Sequence, residues 1–440
     1  MNKEMYDLAA FAVKTAKSAG ADDCRVNINS GRLVEISFRE RKPENIKEAA
    51  TKGLSIQIFA DERYSSQNTS DLRTDALKDF ISKAVASTKL LARDPMRSLP
   101  DPKYYKGRAD INLGIMDPDY KGFTSSERRD MVKAIEDSCL SKGGEKVISV
   151  TANEYDGYNE SVALTSNGFE GHTESTYYVA GAEMTVQGKG DRRPEGYNYV
   201  VSVAKSGLPS PEKVGAVAAK RTLALLGAEK IKTETLPIII ENRNVSRLLG
   251  GFLAGMFGRN IQQKQSFLAD QKGKKIGSKH FTLIDDPFVI GGLGSQLYDG
   301  DGFATKKRTM VEAGVLKEFY IDWYYSKKLG WEPTTGGPSN LIIPPGKRSV
   351  KEIMKDLGRG IYITGFIGGN SNSTTGDASV GIYGHLFENG KLSQPIAEMN
   401  IADNHLEFWN KLAEVGNDPW LYSSQRMPSL VFTDVVVSGL

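Results

Sequence analysis

The sequence predicts an α+β protein: an N-terminal domain of mainly antiparallel sheets with flanking helices, then a β-rich, barrel-like C-terminal domain. Three observations predict this class. Strand-like segments in the first half are joined by connections too short for parallel crossovers. The 45 glycines against 17 prolines favour turns and strands over long helices. Gly and Pro divide the second half into short apolar segments. We place the domains at 1–230 and 236–440.

Helical periodicity and turn residues predict the first elements. Apolar residues recur at helical spacing from Met5 to Ala16, and Gly20 ends this helix. Strands follow in antiparallel pairs, with a turn expected between the members of each pair. These are strands 24–28 and 33–38 around Ser30-Gly31, strands 54–59 and 63–67 around Asp61-Glu62, and then a helix over about 72–91.

A second group of elements follows an irregular connection at 92–120. Thr124 and Glu127 have the spacing of a capping box, which predicts a helix to Leu140. A meander of hairpins is expected next, because Asn-Gly and Asp-Gly pairs divide the β-prone segments. Its strands are 147–155, 161–165, 169–180 and 182–187, with breaks at Asp156-Gly157, Asn167-Gly168 and Gly181. A helix with Pro211 in its first turn then runs to Leu226, and Gly227 ends it.

Segment 236–268 holds the most informative pattern of the chain. An apolar strand leads into a helix predicted over 245–257, and the middle of that helix is rich in glycine. Glycine inside a helix costs about 1 kcal/mol relative to alanine, so the glycines need a compensating role. Gly251 and Gly255 stand four residues apart, as do Gly250 and Ala254. We therefore expect one bare side of the helix, against which another backbone packs closely.

Composition and charge exclude several classes of protein. A net charge of +3, from 57 basic and 54 acidic residues, indicates neither direct nucleic-acid binding nor an anionic membrane surface. The first residues lack a continuous apolar stretch, and no apolar run is long enough to cross a bilayer. Cys24 and Cys139 fit a reducing compartment and have no metal-ligand spacing. We expect a cytoplasmic protein without a cofactor.

An ordered series of segments in the C-terminal half resembles the TldD/PmbA family of proteases. Tyr298 to Gly302 resembles the family's Phe-Asp-Asp-Glu-Gly turn, and Val311 to Leu316 is similar to its Ile-Glu-x-Gly-Val-Leu segment. The region from Lys52 to Leu72 also fits, so the resemblance covers most of the chain. Further segments follow in the family's order at 334–337, 339–341, 345–346 and 375–377.

The resemblance also relates the glycine-rich helix to the zinc motif of the family. In the catalytic branch of the family, this strand and helix carry a His-Glu-x-x-x-His zinc motif. Gly250 and Gly255 stand where the two zinc ligands would be, and Gly251 stands where the general base would be. The stretch comparable to a C-terminal cysteine ligand, Glu414 to Asp418, has no cysteine. The chain therefore resembles the PmbA (TldE) branch most closely, which implies no zinc site and no catalytic residue in this copy.

What the resemblance implies is a non-catalytic, peptide-binding subunit or paralogue of a zinc metallopeptidase that acts on unfolded peptides. The expected partner is a TldD-like zinc-bearing subunit, or a second copy in a homodimer. Contact with DNA or a membrane is not expected. The candidate peptide-binding residues are Asp299, Asp301, Thr335, Asn340 and His385.

Two alternatives stay open, so whether the chain is itself an enzyme is undecided by its sequence. One is a stand-alone hydrolase that uses a Ser, Thr or Asp nucleophile with His385 or His172 as its base. The other is a regulatory protein-binding module, because the family is also described as modulating DNA gyrase. No two of the four histidines lie three to five residues apart, which argues against a local zinc site.

Overall fold

A six-stranded antiparallel sheet with helices on one face forms the N-terminal part of the chain. The structure is a computed structural model that describes residues 2–439; Met1 and Leu440, the outer ends of the two predicted domains, lie outside this range. The strand order is β3-β2-β1-β4-β5-β6. In chain order the elements are α1 (Lys3–Ser18), β1 (Asp23–Arg39), β2 (Lys42–Ala60), β3 (Arg63–Thr69), α2 (Thr74–Thr88), α3 (Ser125–Gly143), β4 (Val147–Thr165), β5 (Glu170–Val186), β6 (Glu195–Ser202) and α4 (Pro211–Leu223).

The strands of this sheet are longer than the sequence predicts. The turns predicted at Ser30-Gly31, Asp156-Gly157 and Gly181 are wrong, because β1, β4 and β5 run straight through these positions. Ser30 pairs with Lys52 on one side and with Glu160 on the other. Pairing on both sides holds such residues extended and overrides their local turn preference. The turns predicted at Asp61-Glu62 and Asn167-Gly168 are confirmed as the β2–β3 and β4–β5 connections.

The helices divide one face of the sheet between them. Helices α1 and α2 cover one end, where Val26 and Ile28 are buried, and α3 and α4 cover the other end, where Val34 and Ile36 are buried. These residues alternate along β1, so they lie on a single face. Residues in between, such as Asn27, point to the opposite face. That opposite face is polar and borders a cleft shared with the C-terminal part.

Two open sheets form the C-terminal part, with strand orders β10-β9-β8-β11-β16 and β14-β13-β12-β7-β17-β15. The α+β class is confirmed, although within residues 2–439 these sheets do not close into a barrel. The elements are β7 (Glu234–Ile240), α5 (Val245–Ala254), α6 (Gly258–Gln262), β8 (Leu283–Asp286), β9 (Arg308–Glu312), β10 (Val315–Leu316), α7 (Trp323–Leu329), β11 (Asn340–Ile342), α8 (Val350–Leu357), β12 (Arg359–Ser371), β13 (Asp377–Glu388), β14 (Lys391–Asn404), α9 (His405–Asn410), β15 (Leu412–Val415), β16 (Gln425–Arg426) and β17 (Leu430–Val437).

One large apolar core holds the C-terminal elements together. It joins β7 through Ile238 and Ile240 to α5 through Phe252, and both to Trp409 of α9. The Trp409 ring stacks on the Phe281 ring with centroids 4.1 Å apart. Burial of these side chains fixes the position of α5 against the six-stranded sheet of the C-terminal part, to which β7 belongs. No helix in the described part of the chain combines the length and apolar character that crossing a bilayer requires.

Candidate functional site

Helix α5 carries the glycines that stand at the zinc-motif positions. Its buried face, with Leu249 and Phe252, packs into the C-terminal core. The helix ends at Ala254, three residues before the predicted end at 257. Asn260 Nδ2 donates to the carbonyl of Ala254 at 2.6 Å and Ser266 Oγ to that of Gly255 at 2.5 Å. These side chains satisfy carbonyls that a longer helix would have used, and the chain turns into α6.

The three glycines lie in different environments. A Cβ at Gly250 would meet nothing within 4 Å, whereas one at Gly251 would lie 2.7 Å from Ser371 Oγ and 2.9 Å from His405 Nε2. A Cβ at Gly255 would lie 2.9 Å from the Phe267 ring. The predicted close approach of another backbone is therefore wrong. Side chains from later parts of the chain fill the space beside Gly251 and Gly255, whereas Gly250 faces an open cleft.

A cleft of about 440 Å³ opens over Gly250 and Gly251, between α5 and strands β12 and β13. Its floor holds Ser371 and His405, with Oγ and Nε2 2.9 Å apart. The Phe267 ring stacks on the imidazole of His405 at 5.5 Å. Burial lowers the pKa of His405 to about 4, so this imidazole is neutral at pH 7. The pair is a neutral hydrogen-bonding unit at the base of a mostly apolar cleft.

The residues around α5 do not fit a zinc ion. Structural and catalytic zinc sites use three or four Cys, His, Asp or Glu ligands in tetrahedral geometry, and the glycines contribute no ligand atom. His405 is the imidazole that lines this cleft, and its Nε2 is bonded to a hydroxyl. At the position of the second motif histidine, Phe267 and Leu268 fill the space that a side chain on residue 255 would need. Helix α5 and the side chains around it therefore do not supply the ligands that a catalytic zinc ion requires.

A different cluster, on β4 and β5, brings together side chains able to hold a metal. Glu160, His172 and Glu174 have ligand atoms that all lie within 4.8 Å of one another, and within residues 2–439 they are the group of three that meets this condition. His172 Nε2 lies 3.0 Å from Glu160 Oε1 and 3.8 Å from Glu174 Oε1. Burial opposes ionisation of Glu160, but hydrogen bonds from His172, Asn2 and Tyr158 hold its pKa below the usual value. The His172 imidazole lies beside both glutamates, which face each other across β4 and β5.

Four of the five candidate peptide-binding residues lie in neighbouring segments, three in loops and Asn340 at the start of β11. Asp299 borders a cleft of about 560 Å³ between the polar face of the N-terminal sheet and residues 292–300. Its carboxylate accepts backbone N–H groups of Asp301 and Phe303, both at 2.9 Å, and of Gly336 at 3.2 Å. Burial raises the pKa of Asp299 to about 6. This side chain therefore holds the loops that form one wall of the cleft.

The other members of this group also bond to loops. Asp301 Oδ2 accepts the backbone N–H of Trp323 at 3.0 Å, and the Thr335 hydroxyl contacts Arg308 and donates to the carbonyl of Gly337. Asn340 accepts the backbone N–H of Gly294 at 2.9 Å and donates to Ser295 Oγ at 2.9 Å. His385 lies on β13 and lines a separate cavity. The structure thus brings four of the predicted residues together and leaves the fifth apart.

The two histidines considered as catalytic bases have other partners. His385 Nε2 bonds to the carbonyl of Ala224 at 3.0 Å, and His172 bonds to Glu160. The sequence did not predict the hydroxyl–imidazole pair of Ser371 with His405. Its members are 34 residues apart and come together only when β12 and α9 pack beside Gly251. No local spacing in the sequence could have revealed that contact.

Family models match consecutive parts of the chain. Those of the PmbA/TldA metallopeptidases cover residues 24–88 with domain 1, 118–226 with the central domain and 233–439 with the C-terminal domain. The chain belongs to the PmbA/TldD family. The resemblance noted from the sequence is thereby confirmed, and the PmbA/TldD C-terminal domain contains α5 and its cleft.

Relatives of known name match along nearly the whole chain. Metalloprotease PmbA of Escherichia coli O157:H7 is 26% identical over 98% of this chain and 94% of its own. Among solved structures, a candidate modulator of DNA gyrase from Bacteroides thetaiotaomicron is 37% identical, with a TM-score of 0.96 over 99% of both chains. TldE from Thermococcus kodakarensis, at 21% identity, has a TM-score of 0.86 over 99% of this chain and 100% of that one. This last similarity shows the shared fold.

Proposed function

We propose that this chain is a zinc-free, peptide-binding subunit or paralogue of a TldD/TldE-type metallopeptidase, acting on unfolded peptides with a zinc-bearing partner or as a homodimer. The observation that carries the proposal is the environment of α5. Gly250 and Gly255 supply no ligand, and Phe267 fills the second ligand position. Hydrolytic chemistry then comes from the partner, and this chain contributes binding surface.

Two features support peptide binding. Strands β3 and β6 end the N-terminal sheet, and an extended peptide can add to such an edge through main-chain hydrogen bonds with little sequence preference. The cleft beside Asp299 is lined by amides and hydroxyls, among them Asn27, Ser55, Ser161 and Thr173. Groups of this kind pair with peptide backbone without selecting a particular side chain. The candidate residues Asp299, Asp301, Thr335 and Asn340 would act by holding the wall of this cleft.

The test is a reconstituted peptidase assay. A zinc-bearing TldD-type subunit is assayed on an unfolded peptide with and without this chain, and we expect cleavage to rise when the chain is added. Ser55→Trp fills the cleft and should reduce this stimulation, while Ser82→Trp, on the exposed face of α2, is a control of equal size change. Equal activity of the partner with and without this chain would refute the subunit role.

The Ser371–His405 pair favours one alternative, a stand-alone serine hydrolase. In that reaction, Ser371 Oγ would attack the carbonyl carbon of a peptide bond while His405 Nε2 takes the hydroxyl proton. His405 would then return this proton to the leaving amine as the C–N bond breaks, and water would release the acyl group from Ser371. Two observations weaken it. His405, with a pKa of about 4, is a weak base at pH 7. Asp403, the carboxylate that favours the protonated form of His405, is already paired with Lys411, whose Nζ lies 2.6 Å from Asp403 Oδ2. Labelling of Ser371 by a fluorophosphonate would support this alternative, and an unlabelled chain would remove it.

A regulatory role toward DNA gyrase is the other alternative, favoured by the description of the Bacteroides thetaiotaomicron neighbour. The net charge of +3 argues that any such effect passes through another protein and not through direct contact with DNA. A gyrase supercoiling assay with added chain tests this role. Unchanged supercoiling at a molar excess of the chain would exclude a direct effect on the enzyme.

A further inference from the structure

Glu160, His172 and Glu174 meet on the helix-covered face of the N-terminal sheet, beside the start of α1. Glu160 alternates with the buried Val162 along β4, so the two side chains point to this same face. On β5, Glu174 lies directly opposite Glu160, and His172 lies opposite Val162. The cluster therefore belongs to two adjacent strands of the N-terminal sheet, whereas α5 belongs to the C-terminal part.

The two carboxylates of this cluster lack a strongly basic partner. Within residues 2–439, neither Glu160 nor Glu174 forms an ion pair with a lysine or an arginine, and the imidazole of His172 lies beside both. Like charges directly opposite each other on neighbouring strands are destabilising. The Glu160 side chain is only 7% exposed, so water screens this repulsion weakly. A cation bound between the two carboxylates would remove the repulsion.

The separations between the ligand atoms fit a single ion. Each of the three side chains offers one ligand atom, and these atoms all lie within 4.8 Å of one another. His172 Nε2 is 3.0 Å from Glu160 Oε1 and 3.8 Å from Glu174 Oε1. Two ligand atoms that bind one tetrahedral ion at about 2.1 Å lie about 3.4 Å apart. The two observed distances fall on either side of this value, so small side-chain movements would place all three atoms around one ion.

Neighbouring polar groups hold Glu160 in the orientation that a metal ligand needs. Its Oε2 accepts hydrogen bonds from Asn2 Nδ2 at 3.3 Å and from the Tyr158 hydroxyl at 3.2 Å, while its Oε1 faces His172. The same hydroxyl lies 3.5 Å from Glu174 Oε1. Hydrogen bonds of this kind orient the ligands of metal sites. The side chains of His172 and Glu174 are 23% and 42% exposed, so an ion can enter from solvent.

We propose that Glu160, His172 and Glu174 bind one divalent transition-metal ion. Imidazole selects such metals over Mg²⁺ and Ca²⁺, which prefer oxygen ligands, and the two carboxylates supply the charge that a divalent ion requires. The ligands come from β4 and β5, and Asn2, the N-cap of α1, holds one of them. The ion would therefore stabilise the contact between α1 and the sheet, and it would supply no ligand to α5.

The test titrates the full chain with Co²⁺ by isothermal titration calorimetry, after chelator treatment and in a buffer that does not bind metals. We expect one ion per chain. Loss of a residue that only hydrogen-bonds to a ligand already weakens metal affinity by about 10–100-fold. His172→Ala should therefore weaken binding at least about a hundredfold, and Glu174→Gln at least about tenfold. His280→Ala removes an exposed histidine elsewhere in the chain and is the matched control, with unchanged affinity expected.

Each outcome decides the proposal. Absence of Co²⁺ binding, binding that His172→Ala or Glu174→Gln leaves unchanged, or an equal loss in His280→Ala would overturn it. Glu174→Gln changes an exposed side chain, so the test stays decisive if His172→Ala fails to fold. Displacement of Co²⁺ by an equal concentration of Mg²⁺ or Ca²⁺ would overturn the assignment to a transition metal. The titration uses neither a partner subunit nor a peptide, so its result and that of the peptidase assay stand independently.

Discussion

Alanine at Gly251 and at Gly250 should have different effects, although the two residues are neighbours on α5. Each substitution gains about 1 kcal/mol of helix propensity. At Gly250 the new methyl group meets nothing within 4 Å, so the gain is retained. At Gly251 it lies 2.7 Å from Ser371 Oγ and 2.9 Å from His405 Nε2, closer than real contacts allow. Overpacking of this kind costs about 1–3 kcal/mol.

The two variants should therefore differ by about 1–3 kcal/mol in the free energy of unfolding. We expect Gly250→Ala to be stabilised and Gly251→Ala to be unchanged or destabilised by up to about 2 kcal/mol. Urea denaturation of both full-length variants, followed by circular dichroism, measures the difference. Gly251→Ala with Ser371→Ala should recover part of the loss. Equal stabilisation of the two single variants would refute the view that Gly251 makes room for the Ser371–His405 pair.

Three further predictions concern stability. Arg128, 1% exposed, pairs with the fully buried Asp156, so Arg128→Met should cost about 3–5 kcal/mol in urea denaturation by leaving that carboxylate unpaired; a loss below about 1 kcal/mol would contradict this. Burial lowers the pKa of His405 from 6.5 to about 4, so the unfolded chain binds the proton first. Stability should fall as pH drops from 6.5 toward 4, and the fall should be shallower in His405→Gln, whereas identical pH profiles would exclude a buried neutral imidazole. Thr124→Ala removes the capping box of α3 and should cost about 1 kcal/mol, with Ser126→Ala, two residues later, as the unaffected control.

Local signals in the sequence predicted much of the fold. The capping box at Thr124, Pro211 in the first turn of α4 and the Asn167-Gly168 hairpin act within a few residues, and all are present. The turns expected at Ser30-Gly31 and Asp156-Gly157 were wrong for a physical reason. Neighbouring strands pair with these residues on both sides, and this information lies far away in the sequence.

The candidate site at α5 was predictable from the sequence only in part. The absence of ligands at Gly250 and Gly255 is visible in the sequence once the family resemblance is seen. What occupies the vacant space is not visible there, because His405 and Phe267 reach α5 only in the folded chain.

Peptidase activity and zinc content of the purified chain, measured together, test most directly whether α5 has lost its metal. The measurement includes the His172→Ala variant, because Glu160, His172 and Glu174 are able to hold an ion without α5. We expect no chelator-sensitive cleavage of an unfolded peptide by the chain alone, and we expect any zinc it carries to be lost in His172→Ala. Cleavage that a chelator abolishes, that added zinc restores and that persists in His172→Ala would contradict this view of α5.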